Sequence, residues 1–252
     1  MRIAALQHDI VWEDPDANFE RLAPRIAEAA DQGAELVVLS ELFSWGFSMA
    51  TERVREPVDG ASTRFLLEQA AATGAWTCGS VPVVDGQDRP FNRLLVASPG
   101  GELHRYDKRH PFSPAGEHEH YEAGDAPLQL VLGDLRVSFH VCYDLRFGDE
   151  LWELAETTDL YVVVANWPSA RREHWMTLLA ARAIDNQAHV LGVNRVGTDP
   201  GLEYSGDTRW VAPLGEVECL PPGEEGTLLV EPTAEAVREA RRRLPFLRDR
   251  RN

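Results

Sequence analysis

The chain is almost without lysine. Of its 252 residues 25 are basic, and reading along the sequence gives 24 arginines and one lysine, Lys108. Cysteine is scarce too: Cys78, Cys142 and Cys219 are odd in number and far apart, with no C-x-x-C pair. That spacing excludes a disulfide framework and the common zinc and dithiol motifs. No apolar run approaches the ~20 residues needed to span a bilayer. The stretch from Met1 to His8 lacks the apolar core and small-residue cleavage site of a secretory signal. We therefore expect a cytoplasmic protein with no membrane partner.

Positive charge is short overall, with 41 acidic residues and a formal net charge of −16. Such a surface repels polyanions, which argues against a nucleic-acid partner. A genome rich in arginine codons, or a salt-rich cytoplasm, accounts for most of the missing lysine. Neither explains why one ammonium survives.

What is present reads as a single α/β domain. Ile3-Ala4-Ala5-Leu6, Leu36-Val37-Val38-Leu39, Val137-Ser138-Phe139-His140-Val141, Tyr161-Val162-Val163-Val164 and Val190-Leu191-Gly192-Val193 are continuous apolar runs. These suit strands covered on both faces. Helical patterns lie between them. Phe19, Leu22, Ala23, Ile26 and Ala30 form a stripe after Asp14-Pro15-Asp16, although Pro24 predicts a kink or a late start. Phe65 to Ala72 follows a cap-like Ser62-Thr63 and stops at Gly74, and Glu173 to Asn186 forms a further helix. From Trp76 to Tyr106 the pattern alternates, with turns at Asp85-Gly86 and Gly100-Gly101. Thr208 to Pro213 and Gly226 to Glu231 read as short strands. Residues 1–234 form the expected domain. Residues 235–252 carry seven arginines against three acids, and we expect this tail to dock on the body or on a partner subunit.

In α/β sheets chemistry gathers at the carboxyl ends of strands. Three apolar runs end there in reactive or polar groups: Glu41, Cys142 and Asn166. Cys142 has the look of a nucleophile at a strand-to-helix turn, where helix dipoles, backbone N–H groups or an adjacent base would assist a thiol of ordinary pKa about 8.5. The commoner fate of a lone cysteine is a buried structural one, and that reading is applied to Cys78 and Cys219. Lys108 sits in Tyr106-Asp107-Lys108-Arg109-His110, just after a strand-like segment. A surface lysine is the bland reading, but a compact point charge cannot be replaced by a planar fork at a tight oxyanion site.

Leu39-Ser40-Glu41-Leu42-Phe43, Tyr106-Asp107-Lys108-Arg109-His110 and His140-Val141-Cys142-Tyr143-Asp144-Leu145-Arg146-Phe147 together resemble the nitrilase superfamily of carbon–nitrogen hydrolases. The resemblance covers nearly the whole chain. It implies a four-layer α-β-β-α sandwich, a homodimer, no cofactor and no metal. Gly116-Glu117-His118-Glu119-His120-Tyr121, Ala165-Asn166-Trp167-Pro168 with Arg171, and Leu179-Ala180-Ala181-Arg182-Ala183-Ile184-Asp185-Asn186-Gln187 look like its omega-amidase branch, which hydrolyses 2-oxoglutaramate and related amides. Where members often have proline after the Arg-Phe pair, this chain has Gly148.

The resemblance assigns nucleophilic attack to Cys142 and general-base work to Glu41. Lys108 and the backbone N–H of Tyr143 would hold the oxyanion, and Glu117 would position Lys108 and the substrate amide. Tyr143, Asn166 and Trp167 are expected to touch the substrate. Its carboxylate calls for a fork-shaped cation. Arg146, Arg171, Arg172 and Arg195 are candidates, with Arg171 preferred because it follows Asn166-Trp167-Pro168. Two rival chemistries use the same residues. One is a metal site on an extended Glu117-His118-Glu119-His120, perhaps with His110. The other pairs Cys142 with His110, His140 or His174 as in cysteine proteases. A non-catalytic binding module and an amidase or carbamoylase of other specificity are the further alternatives.

Overall fold

The computed structural model describes residues 1–86 and 88–250. The first third of the chain runs β1 (Ile3–Gln7), α1 (Pro15–Asp31), β2 (Leu36–Val38), α2 (Thr51–Val54), β3 (Glu56–Pro57), α3 (Ala61–Thr73) and β4 (Trp76–Val84). The middle runs β5 (Phe91–Ala97), β6 (Leu103–Asp107), α4 (Glu117–His120), β7 (Leu128–Leu132), β8 (Leu135–Val141), α5 (Gly148–Glu153), β9 (Leu160–Ala165) and α6 (Arg172–Asn186). The remainder is β10 (His189–Asn194), β11 (Val196–Asp199), β12 (Leu202–Ser205), β13 (Arg209–Val211), β14 (Val217–Cys219), β15 (Gly226–Val230) and α7 (Ala234–Arg243).

Two mixed sheets stack face to face. One has the order β15-β1-β2-β4-β5-β6, with β3 added beside β4, and the other has β14-β13-β10-β9-β8-β7. Strand periodicity explains the layers. In β1, Ile3 and Ala5 join Leu36, Val38, Val137 and Val162 in the core between the sheets. Ala4 and Leu6 point the other way, into a second core with Leu22 and Ile26 of α1 and Leu66 and Ala70 of α3. On the far side, Trp175 and Leu179 of α6 press on Gly192, where an added Cβ would lie 2.4 Å from Leu179. The result is the four-layer α-β-β-α sandwich.

Three local expectations need correction. Helix α1 begins at Pro15, capped by the Asp14 side chain accepting from the Ala17 N–H at 3.1 Å, and runs through Pro24. Pro24 is tolerated because it and Glu20 are exposed, so the carbonyl deprived of its donor faces water. Helix α3 starts after Gly60 rather than at Ser62-Thr63. The Ser62 hydroxyl instead donates to Glu56 at 2.5 Å. Glu117-His118-Glu119-His120 is a helical turn, not an extended segment.

In the arginine-rich segment, Val237, Ala240 and Leu247 are buried. Arg241 donates to the carbonyls of Ala155 (2.8 Å) and Thr158 (2.7 Å), and Gln187 donates to the Leu244 carbonyl at 2.6 Å. Residues 251–252 of the expected tail lie outside the described residues.

Candidate active site

Glu41 stands two residues beyond Leu39, at the carboxyl end of β2. The next residue, Leu42, is in the left-handed region (φ 43°), and its N–H is held by the Ser80 hydroxyl at 2.8 Å. This turn drives the carboxylate into the interior, where it is fully buried. Its Oε1 accepts from Lys108 Nζ and from Asn92 Nδ2, both at 2.8 Å, and its Oε2 accepts from the Asn166 N–H at 2.8 Å. Lys108 follows β6 directly and is equally buried. Besides Glu41, its ammonium donates to both oxygens of Glu117, at 3.0 and 2.8 Å. Burial works against that charge. The Glu117 and Glu41 carboxylates overcome it and hold the Lys108 pKa well above the ordinary lysine value.

Cys142 follows β8 and opens a 3-10 turn, Cys142–Arg146, with φ of 48°. A side chain there is strained, and Asp144 maintains it. Its carboxyl accepts the N–H groups of Val141 (2.9 Å) and His110 (3.0 Å) and the Tyr106 hydroxyl (2.8 Å). Burial pushes Asp144 up to about 6 despite these donors. The expected helix dipole is not what assists the thiol: α5 begins only at Gly148. Burial raises the Cys142 pKa well above the usual thiol range, and Glu41 raises it further while Lys108 opposes. The thiol therefore keeps its proton, with the Glu41 carboxylate beside it.

Cys142 lies on the wall of a pocket of about 180 Å³. Pockets for drug-sized ligands run to roughly 300–1,000 Å³, so this one has room only for something smaller. Tyr143, Arg146, Asn166, Trp167 and Arg171 all line it, so every residue expected to touch substrate is brought together. The arginines divide cleanly. Arg172 is paired with Asp207 at 2.6 Å, and Arg195 is buried among Asp9, Asp199 and the Tyr204 ring. Arg146 and Arg171 have no acidic partner among the described residues. The first lies over the Trp167 ring (4.8 Å) and donates to His174 Nδ1 (3.1 Å), and the second lies over Phe112 (5.2 Å). Gly148 has a local reason: an added Cβ would fall 2.4 Å from the Arg182 guanidinium, which donates to the Leu145 carbonyl.

The rival chemistries find little support. Among the described residues no three His, Cys, Asp or Glu side chains cluster as a metal would require. Among the described residues no hydrogen bond joins Cys142 to a histidine. His110 faces Glu150, His140 meets Ser138 and His174 meets Arg146. Cys78 is buried with its thiol pKa pushed up, as a structural cysteine should be. Cys219 is not buried: it lies on the edge strand β14, all of whose residues are exposed.

Several residues of the site went unnoticed in the sequence. Phe47, Met49, Phe112, Leu202 and Tyr204 form much of the pocket wall, and Asn92 joins the buried carboxylates. Tyr204 and Leu202 arrive on the β11–β12 hairpin, four polar-patterned residues per strand.

A four-layer sandwich with a buried thiol, two carboxylates and an ammonium beside a small pocket defines an amide-hydrolysing class of enzyme. The chain belongs to the carbon–nitrogen hydrolase family, whose model matches residues 2–242. It is 37% identical to omega-amidase YafV of Escherichia coli (strain K12), over 99% of this chain and 96% of that one. It is 31% identical to 2-oxoglutaramate amidase of Bacillus subtilis (strain 168), over 98% and 96%. A CN-hydrolase superfamily protein from Xanthomonas campestris with an arsenic adduct in its active site superposes with a TM-score of 0.94. It is 37% identical, with 100% of this chain and 97% of that chain covered.

Proposed function

We propose that the protein hydrolyses small omega-amides of the 2-oxoglutaramate kind to the carboxylate and ammonia. The observation that carries this reading is a small pocket lined by Cys142 and by two arginines, Arg146 and Arg171, that have no acidic partner among the described residues. As Cys142 Sγ attacks the amide carbonyl, its proton passes to Glu41, and Lys108 with the Tyr143 N–H stabilises the oxyanion. Collapse breaks the C–N bond, Glu41 protonates the departing nitrogen, and ammonia leaves a thioester. Water then attacks the thioester carbonyl and gives its proton to Glu41. The C–S bond breaks and the sulfur recovers the proton. Glu117 holds Lys108 throughout, and Arg171, with Arg146 beside it, receives the remote carboxylate. Asn166 and Trp167 shape the wall between them.

Ammonia release measured over a panel of omega-amides, carbamoyl compounds and nitriles tests the reading. Turnover of 2-oxoglutaramate or 2-oxosuccinamate supports it. Turnover of a carbamoyl amine alone would keep the family and sink the substrate class. Unchanged amide turnover in Cys142→Ser would favour a different nucleophile or a non-catalytic role for this pocket.

We also read the protein as a cytoplasmic homodimer. Three free cysteines suit a reducing compartment. Ile184 and Phe246, both about half exposed, flank a groove on the outer face of α6 and supply an apolar surface for a second copy. Ultracentrifugation showing only monomer at micromolar concentration would overturn the dimer.

A further inference from the structure

Asn92 lies inside β5 and is buried. It touches three members of the site. Its backbone carbonyl accepts the Lys108 N–H at 3.0 Å. Its side-chain amide gives one bond to Glu41 Oε1 at 2.8 Å and one to Glu117 Oε1 at 3.0 Å. A primary amide has two N–H donors, so both are committed to carboxylates. Charge fixes the orientation, because the flipped amide would present its oxygen to the same two anions. Asn92 Oδ1 has no hydrogen-bond partner among the described residues, so the side chain is oriented by the carboxylates alone.

Two carboxylates sharing a single ammonium repel each other, and neither can lean on water. Lys108 attracts both but, as a point charge, does not dictate how each carboxylate plane is turned. The Asn92 amide supplies that geometry. Cys142, Tyr121 and Tyr204 also bear on the pair, and among the described residues no hydrogen bond from any of them spans both carboxylates.

We infer that Asn92 is a positioning residue, whose two amide protons set the spacing of Glu41 and Glu117 and turn Glu41 to receive the Cys142 proton. This rests on Cys142 as nucleophile and Glu41 as base. Hydrogen bonds to an ionised carboxylate favour the ionised form, so losing two donors lets the pair take up a proton at higher pH. Asn92→Asp would go further, placing a third carboxylate around one lysine.

The test compares Asn92→Ala and Asn92→Asp with the parent enzyme, using the best amide of the panel and, separately, alkylation of Cys142 by iodoacetamide across pH. In Asn92→Ala, kcat should fall about 10- to 100-fold with KM nearly unchanged. The acid limb of both profiles should move up by about one pH unit, and further in Asn92→Asp. Asn92→Ser serves as the second variant if either fails to fold. A role in stability alone would lower the melting temperature and leave the acid limb in place. An unmoved limb with kcat within about threefold of the parent would overturn the proposal. Alkylation needs no amide substrate, so a panel that fails throughout sinks the substrate reading without touching this one.

Discussion

Two buried cations, each fully enclosed between two carboxylates, stand at different places in this fold. Lys108 lies between Glu41 and Glu117, and Arg195 lies between Asp9 and Asp199. Their settings differ in what the charge is left to do. The Arg195 guanidinium spreads its donors over the carbonyls of Val196 (2.9 Å) and Ile10 (3.2 Å) and the two carboxylates, with its face 4.5 Å from the Tyr204 ring centre. A planar fork with its donors so distributed acts as a fastener, tying the β11–β12 hairpin to the segment after β1. The Lys108 ammonium also bonds its carboxylates, yet its charge opposes the rise in the Cys142 thiol pKa, and Cys142 lines the pocket. In one cluster the cation fastens two segments, and in the other it bears on a thiol.

The sharpest way to break this comparison is to remove what Lys108 serves. Cys142→Ala should lower ammonia release by about 10⁴-fold or more while circular dichroism stays native. Next comes the cation itself. Lys108→Arg should lose about 100- to 1,000-fold in kcat, close to the loss in Lys108→Ala. Near-parental turnover in Lys108→Arg would show that a fork serves as well as a point, and the contrast would collapse. At the other cluster the effect should fall on stability. Arg195→Ala strands Asp199 in the interior, and urea unfolding should report a loss of about 3–5 kcal/mol. The kcat of the folded fraction should stay within about tenfold, with KM rising as the Tyr204 wall loosens.

The smallest effect comes from groups outside both clusters. Burial depresses His8 and His140 to about 3 and His189 to about 4. The folded state thus binds fewer protons than the unfolded one, and the stability present above pH 6.5 is lost as pH falls toward these values. Asp144, raised to about 6, works the other way, favouring the folded state at low pH and ceasing to do so as pH rises through 6. Three imidazoles against one carboxyl predict a loss of roughly 1–2 kcal/mol between pH 7 and 6, read by thermal unfolding in low salt. No such loss in that window would place the acid sensitivity in the ion pairs instead.

Much of this was legible in the sequence, for a physical reason. Strands covered on both faces are written as unbroken apolar runs, and the residues that interrupt their ends, Glu41, Cys142 and Asn166, stand out against them. Asn92 did not stand out. It sits in Phe91-Asn92-Arg93 within an alternating strand, where a polar residue normally marks the solvent face. Here that face is turned inward because Glu41 and Glu117 lie across it. The turn at Glu117 was illegible because four residues carry no helical period. Pro24 misled because a proline's cost depends on whether the stranded carbonyl meets water, which only the packing of α1 decides.

The bonds between Asn166 and Glu41 have a further consequence. Glu41, Asn92 and Lys108 ride on one sheet, and Cys142 and Asn166 ride on the other. The proposed base and nucleophile are therefore carried on different sheets, and the alignment of the two layers sets how they meet. A slippage of about 1 Å between those layers would cost about 100-fold in rate while every strand kept its partners. Catalysis in this architecture gauges the seam, and its failure on warming is set by how firmly the layers grip each other.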